Sequence, residues 1–266
     1  MYIPKTARLH GFQVVDNVQI AQDTMEITVK CPEVAEGIQP GQFVNVKVPG
    51  NAAELLRLPL SYSWRDKESG CFKMIYAVVG EGTRRMQNWN PGATSDLVGI
   101  LGHGFYGLDK PGRALLVSGG VGNAPILGLA QKLSELGRPY DLVMGYRDEG
   151  HVCCEREAGM LAPGTLMITT DDGSYGFKGF TTDAMAQLLA ENDYETVYTC
   201  GPKPMMAGVT RLAQEHGIHC QVSMEAMMSC GFAACGTCNI PMVTGDYLAC
   251  CKAGPVFDGK EVAWDR

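Results

Sequence analysis

The side chains best suited to redox or metal chemistry are gathered late in the chain. Cys230, Cys235 and Cys238 stand at Cys-x4-Cys-x2-Cys spacing, and Cys250-Cys251 follow just before Gly254-Pro255-Val256-Phe257. Three thiols in one short loop with a fourth farther on is the spacing at which a single loop wraps a [2Fe-2S] cluster. Gly231, Ala233, Ala234 and Gly236 fill the gaps between the thiols, and residues this small let backbone amides approach cluster sulfurs. Two other readings stand beside this one. A structural zinc site more commonly pairs its cysteines two and two, and buried thiols can also be inert.

A loop of this kind needs a scaffold, and the sequence supplies two. From Gly11 to Val48 short apolar stretches recur at close spacing: Val14-Val15 and Val18–Ile20 on either side of Asp16-Asn17, an alternating run over 25–30, and another over 42–47 after the Pro40-Gly41 turn. Runs over 55–63 and 71–79 follow, and such spacing predicts a small antiparallel β-barrel. The last of these strands opens into Gly80-Glu-Gly-Thr-Arg-Arg85, where Gly80 and Gly82 allow close backbone approach and a short helix over 84–89 would offer amides to a pyrophosphate. Leu101-Gly-His-Gly-Phe105 forms a second glycine-relaxed turn, in which His103 reads as structural.

At Arg113 the period changes. A buried-strand run over 114–118, a break at Gly119-Gly-Val-Gly122 and helical spacing over 124–133 make a nucleotide-binding βα unit, or else a tight turn that binds nothing. Strands over 141–146, 166–170, 196–200 and 219–224 alternate with helices over 182–190 and 204–216, which predicts a parallel sheet covered on both faces. Ligands on such sheets bind at the carboxyl ends of the strands. Gly119–Gly122, Asp171-Asp-Gly-Ser-Tyr-Gly176 and Cys200-Gly-Pro-Lys-Pro-Met205 all fall there. After the second of these strands, Arg147 could accept a 2′-phosphate, whereas Asp148 and Glu149 would repel one, so the sequence points to NAD(H) over NADP(H).

Composition narrows the classes. At 266 residues the chain can hold two modest domains and a tail. Its net charge of −7, with no basic cluster beyond Arg84-Arg85, disfavours nucleic acid as a partner. The leading segment has no apolar stretch behind its basic residues, and no run approaches the ~18 apolar residues of a membrane span, so a cytoplasmic chain without membrane contact is expected. Eleven cysteines, most of them in the last quarter, fit metal or redox use better than disulfides. No nucleophile or paired-carboxylate constellation is present, and hydride transfer between nicotinamide and flavin requires none. A self-sufficient flavin reductase passing electrons to a soluble acceptor, a subunit of this architecture serving another partner, and a zinc-stabilised non-redox module are the competing classes.

The small barrel followed by an α/β domain with Gly-Gly-x-Gly and Cys-Gly-Pro turns resembles the ferredoxin reductase superfamily. The tail, Cys230-Gly-x3-Cys-x2-Cys238 with Cys251-x2-Gly-Pro-Val-Phe257, resembles the electron-transfer subunit of NAD-dependent (type B) dihydroorotate dehydrogenase. The resemblance implies an α+β multidomain chain: a flavin-binding β-barrel over 1–108, an NAD-binding α/β domain over 109–224 and a [2Fe-2S] tail over 225–266. It implies FAD at Arg57, Pro59, Leu60, Ser61, Ile75, Tyr76, Gly82 and Thr83, and NAD at Gly119, Gly120, Gly122, Cys200, Gly201 and Pro202. It selects Cys251 over Cys250 as the fourth ligand beside Cys230, Cys235 and Cys238. The implied partner is an FMN-containing catalytic subunit that oxidises dihydroorotate for pyrimidine biosynthesis, two copies of each chain assembling together. Two positions depart from the family pattern. Leu58 stands where an arginine precedes the flavin-motif proline, and Ala77 stands where a second arginine follows the strand tyrosine, leaving Arg84 and Arg85 to supply positive charge.

Overall fold

The computed structural model describes residues 7–50 and 56–265; the leading stretch 1–6 and Leu55, assigned above to the start of a strand, lie outside them. The first half is a closed barrel with strand order β1-β2-β5-β4-β3-β6. Its strands are β1 (Arg8–Ala21), β2 (Thr24–Lys30), β3 (Phe43–Val46), β4 (Leu58–Asp66), β5 (Cys71–Ala77) and β6 (Thr94–Leu101). Helix α1 (Pro32–Gly37) opens with proline, whose missing N–H costs nothing in a first turn, and seats Val34 and Ala35 in the barrel core. Helix α2 (Glu81–Met86) follows β5 and begins earlier than the expected 84–89.

The expected break at Asp16-Asn17 is absent. β1 runs through it with a register shift between Val14 and Asp16, because Asn17 finds partners along the strand instead of in a turn. Its side-chain amide donates to the carbonyls of Met86, Gln87 and Trp89 while its carbonyl accepts from Tyr76 Oη at 3.0 Å. The chain reverses instead at Gln22-Asp23, where Asp23 takes φ 52°.

The second half is a seven-stranded sheet of order β10-β9-β8-β7-β11-β12-β15. In chain order it runs β7 (Ala114–Gly119), α3 (Asn123–Leu136), β8 (Tyr140–Tyr146), α4 (Glu155–Met160), β9 (Leu166–Thr170), β10 (Phe177–Lys178), α5 (Thr181–Glu191), β11 (Thr196–Cys200), α6 (Lys203–Glu215) and β12 (His219–Ser223). β7, β8 and β11 are buried throughout, as strands covered on both faces must be, and six of the seven strands are parallel.

The tail returns to this sheet. After a hairpin of β13 (Asn239–Pro241) and β14 (Tyr247–Ala249) and a single turn α7 (Cys250–Ala253), β15 (Val256–Asp258) pairs antiparallel with β12 at the sheet edge. Met224 N donates to Pro255 O at 2.8 Å, so the segment 225–254 leaves and re-enters the sheet at one point. Cys238, Cys250, Cys251, Ile240 and Met242 share one core with Val209 and Val222 of the α/β half and with Phe43 and Leu101 of the barrel. That shared core fixes the loop against both halves. No helix among the described residues is long and apolar enough to cross a membrane.

Candidate redox site

The thiol loop is shaped by backbone conformations that only small residues tolerate well. Gly231 (φ 77°), Ala233 (φ 64°) and Gly236 (φ 68°) all lie in the left-handed region. A Cβ on Gly231 would stand 2.1 Å from Asn45 Nδ2, so glycine there lets the loop lie on β3, where that amide donates to Cys230 O. The result aims main-chain donors at sulfur: Ala233 N to Cys251 Sγ at 3.0 Å, Ala234 N to Cys230 Sγ at 3.2 Å and Cys251 N to Cys238 Sγ at 3.5 Å. Such bonds favour thiolate over thiol, as metal ligation requires. Thr237 Oγ1, 3.2 Å from Cys235 Sγ, draws that exposed thiol down to about 6.

The four sulfurs fall into pairs, Cys230 beside Cys235 and Cys238 beside Cys251. Among the described residues no three of these thiols lie within 4.8 Å of one another. Paired thiols suit a two-iron centre, with two ligands for each iron. Cys250 and Cys251 diverge, though for a reason other than an extended strand: both lie in the turn of α7, where consecutive side chains differ by about 100°. Cys251 faces the loop amide of Ala233, and Cys250 Sγ turns inward toward Met224 O at 3.5 Å. Burial, then the neighbouring Cys238 sulfur, pushes the Cys251 thiol up to about 12, a cost that a bound cation reverses.

Next to the loop is a cavity of about 440 Å³ between the two halves. β4 contributes Leu58, Pro59, Leu60 and Ser61, β5 contributes Ile75, Tyr76 and Ala77, and Thr83 closes one end. Val121, Ala124 and Pro125 form the facing wall, and Met224–Met228 with Pro255 bring in the tail. Apolar and bounded by strands, it suits the ring system of a flavin. Tyr76 is fixed by its hydrogen bond to Asn17, and burial pushes its hydroxyl up to about 12. Among the described residues Glu225 is the one charged side chain lining this cavity, its carboxyl raised by desolvation.

Four residues expected at the flavin sit elsewhere. Arg57 turns to the barrel end, where its guanidinium is 2.5 Å from Asp96 Oδ1. Gly82 packs on the Leu58 side chain. Arg84 and Arg85, at the far end of α2, pair with Glu81 at 3.5 and 3.1 Å and do not line the cavity. Both share the Glu81 carboxylate within the helix. Thr83 Oγ1 instead accepts from Val79 N and Gly80 N, closing the turn that precedes α2.

A second cavity, about 600 Å³, opens at the carboxyl ends of β7, β8, β9 and β11. Strand order reverses between β7 and β11, and it is at such a switch point that open α/β sheets bind nucleotides. Gly119 and Gly120 from one turn and Pro202 from another line it. Gly120 (φ 54°) faces open space, so its backbone is free to approach a phosphate. Gly122 and Gly201 do other work: a Cβ on Gly122 would meet Cys200 O at 2.4 Å, and one on Gly201 would meet Gly119 N at 3.0 Å, so these two glycines let the turns nest. Cys200 lies beneath, 1% exposed, and lines neither cavity. Arg147 and His151 line the far end with Arg211, whereas Asp148 and Glu149 do not. Asp148 acts through its neighbours, bonding His151 Nδ1 at 2.6 Å and Arg147 Nε at 3.0 Å, and those bonds hold its carboxyl below the usual carboxylate range.

Residues 116–211 match the oxidoreductase NAD-binding domain model, and residues 225–263 match the iron-sulfur cluster binding domain of dihydroorotate dehydrogenase B. The electron transfer subunit of dihydroorotate dehydrogenase B (NAD(+)) from Fusobacterium nucleatum is 37% identical over 96% of this chain and 98% of its own length. Its counterpart from Geobacillus thermodenitrificans is 38% identical over 94% and 96%. The chain belongs to this family of dihydroorotate dehydrogenase B electron transfer subunits. Among solved structures, one described as an NADH-dependent reduced ferredoxin-NADP oxidoreductase, studied for flavin-based electron bifurcation, superposes with a TM-score of 0.86 at 33% identity, covering 98% of this chain and 92% of that one. A ferredoxin reductase of carbazole 1,9a-dioxygenase shares the fold, with a TM-score of 0.68 at 18% identity over 79% and 66%.

Of the expected residues, Ser61, Pro59, Leu60, Ile75, Tyr76 and Thr83 line the first cavity, and Gly119, Gly120 and Pro202 line the second. Sequence reasoning missed Val121, Ala124, Pro125 and Glu225 on the flavin side and Arg211 on the nucleotide side. Helical spacing marked Ala124 and Pro125 as core, and no local signal shows that a core helix also walls a cavity.

Proposed function

We propose that this chain passes electrons between a dihydroorotate-oxidising FMN subunit and NAD+, with FAD and a [2Fe-2S] cluster as its own carriers. One observation carries the reading: the turn 119–125 lines the nucleotide cavity with Gly119 and Gly120 and the flavin cavity with Val121, Ala124 and Pro125, while the opposite flavin wall, 224–228, runs directly into the thiol loop. Nucleotide, flavin and cluster would therefore stand in series. Flavin supplies the exchange between hydride and single electrons that neither nicotinamide nor an iron–sulfur cluster makes alone.

The residues of the chain hold and shield. Pro202 and Met205 would position the nicotinamide end, Ser61 and Thr83 offer hydroxyls to the flavin, and Met224 and Met228, both 7% exposed, exclude water between the flavin cavity and the loop. Cys235 lies exposed at the outer edge of the loop and Met227 is 80% exposed beside it in sequence, which supports this face as the one that meets the partner. The substrate site belongs to that partner. Mixing this chain with an FMN catalytic subunit should give dihydroorotate-dependent NADH formation, and this chain alone should give none. The near-complete match to the NADH-dependent reduced ferredoxin-NADP oxidoreductase favours a second reading, in which the same carriers serve a different flavoprotein. Ferredoxin-dependent and no dihydroorotate-dependent turnover in the native complex would establish that reading instead.

A further inference from the structure

Three metal-binding side chains converge at one end of the barrel, in neither of the two cavities described above. Along β1 alternate residues face inward, and His10 shares its face with the buried Phe12 and Val14. β2 runs back beside it, with Lys30 opposite Gln13, and delivers the next residue, Cys31, to the same end with no exposed surface. The chain then turns into α1, which brings Glu33 over the thiol. An imidazole nitrogen, a thiol sulfur and a carboxylate oxygen thus lie within 4.8 Å of one another, from three successive elements.

Local hydrogen bonding does not account for this grouping. Cys31 Sγ donates to Glu33 Oε2 over a long 3.9 Å, and the His10 imidazole makes no hydrogen bond to any described residue. Burial, and to a smaller degree Glu33, raises the Cys31 thiol.

We propose that His10, Cys31 and Glu33 form a zinc site that fastens the first strand of the barrel to α1. Nitrogen, sulfur and carboxylate oxygen are the donor set of Zn2+, and they exclude Mg2+ and Ca2+, which take oxygen almost alone. Ligand bonds of about 2.0–2.3 Å set donor separations of about 3.5 Å, so the trio must close by about 1 Å. His10 and Glu33 keep exposed surface and can move that far by side-chain rotation. Water would take the fourth position. Placed away from both cavities, the site would clamp structure and leave electron transfer unaltered.

The test uses the holoprotein with flavin and cluster in place. It is stripped with EDTA, incubated with a small excess of ZnCl2 and desalted, and zinc and iron are counted together. The expected result is one zinc per chain with both cluster irons retained and the unfolding midpoint raised. His10→Ala and Glu33→Gln should each lower zinc affinity at least about tenfold with iron unchanged. Should Cys31→Ser fail to fold, these two variants decide the matter. Zinc absent from the iron-replete wild type, zinc taken up only as iron is lost, or zinc retained equally by both variants would each overturn the proposal.

Discussion

The thiol loop and the flavin cavity lie side by side but are built in opposite ways. The loop takes all four of its candidate ligand sulfurs from one segment, 230–251, and its amides reach those sulfurs because Gly231, Ala233 and Gly236 hold left-handed conformations. The flavin cavity is a meeting place of β4, β5, the turn before α3 and the tail, none of which resembles a binding motif alone. A site encoded in one segment can be lost to one substitution. A site assembled from surfaces spreads its binding energy and resists single changes.

The contrast is broken most sharply at the adjacent cysteines. Cys251→Ser should abolish the cluster, read as loss of iron and of its visible absorbance, and stop electron flow to the partner while NADH oxidation by small acceptors through FAD persists. Cys250→Ser, whose sulfur turns toward Met224 O, should keep its iron and lose no more than about 1–2 kcal/mol of stability in denaturant unfolding. Iron lost from the second variant and kept by the first would reverse the assignment.

The two turn glycines divide the next effect. Gly122→Ala drives a methyl group into the Cys200 backbone at 2.4 Å, neither side of which can yield, and should cost about 1–3 kcal/mol and depress the melting midpoint. Gly120→Ala meets open space and pays only for its left-handed φ, about 1–2 kcal/mol at most, so its larger signature should be a raised KM for NADH. Equal losses of stability in both would show that the turn binds nothing.

Smaller still is the change expected at Asp148. NADH should be preferred to NADPH by the wild type, because Asp148 engages both the Arg147 guanidinium and the His151 imidazole, which line the nucleotide cavity. Asp148→Ala frees them and should narrow the preference, read as the ratio of kcat/KM values, by about tenfold. Smallest of all, Arg84→Ala with Arg85→Ala should leave FAD content nearly unchanged, since neither arginine lines the flavin cavity and both pair with Glu81 along α2. Release of flavin from that double variant would restore them to the role their sequence position suggests.

What was legible in the sequence follows the same contrast. The parallel sheet and its helices were readable because buried strands and amphipathic helices repeat at fixed periods, and the thiol loop because ligand spacing is a covalent constraint. α1, β6, α4 and the β15 edge strand were not read, being short or half-exposed and set by tertiary contact. Asp16-Asn17 reads as a turn from composition, yet Asn17 spends its side chain on α2 and Tyr76 and leaves the strand unbroken. Arg147 shows the limit for selectivity: Asp148 and Glu149 were expected to repel a 2′-phosphate, whereas Arg147 and His151 line the cavity and Asp148 bonds both of them without lining it.

The hydrogen bond from Met224 N to Pro255 O bears on how the molecule could be taken apart. Because segment 225–254 departs and returns across a single backbone contact, it is a detachable insert in an otherwise continuous sheet edge. Joining Met224 to Pro255 through a short turn would let β12 and β15 meet as an ordinary hairpin, with Gln221 still opposite Asp258. The shortened chain would be a two-carrier reductase deprived of its electrical outlet: able to take hydride from NADH, but confined to acceptors that can reach the flavin themselves.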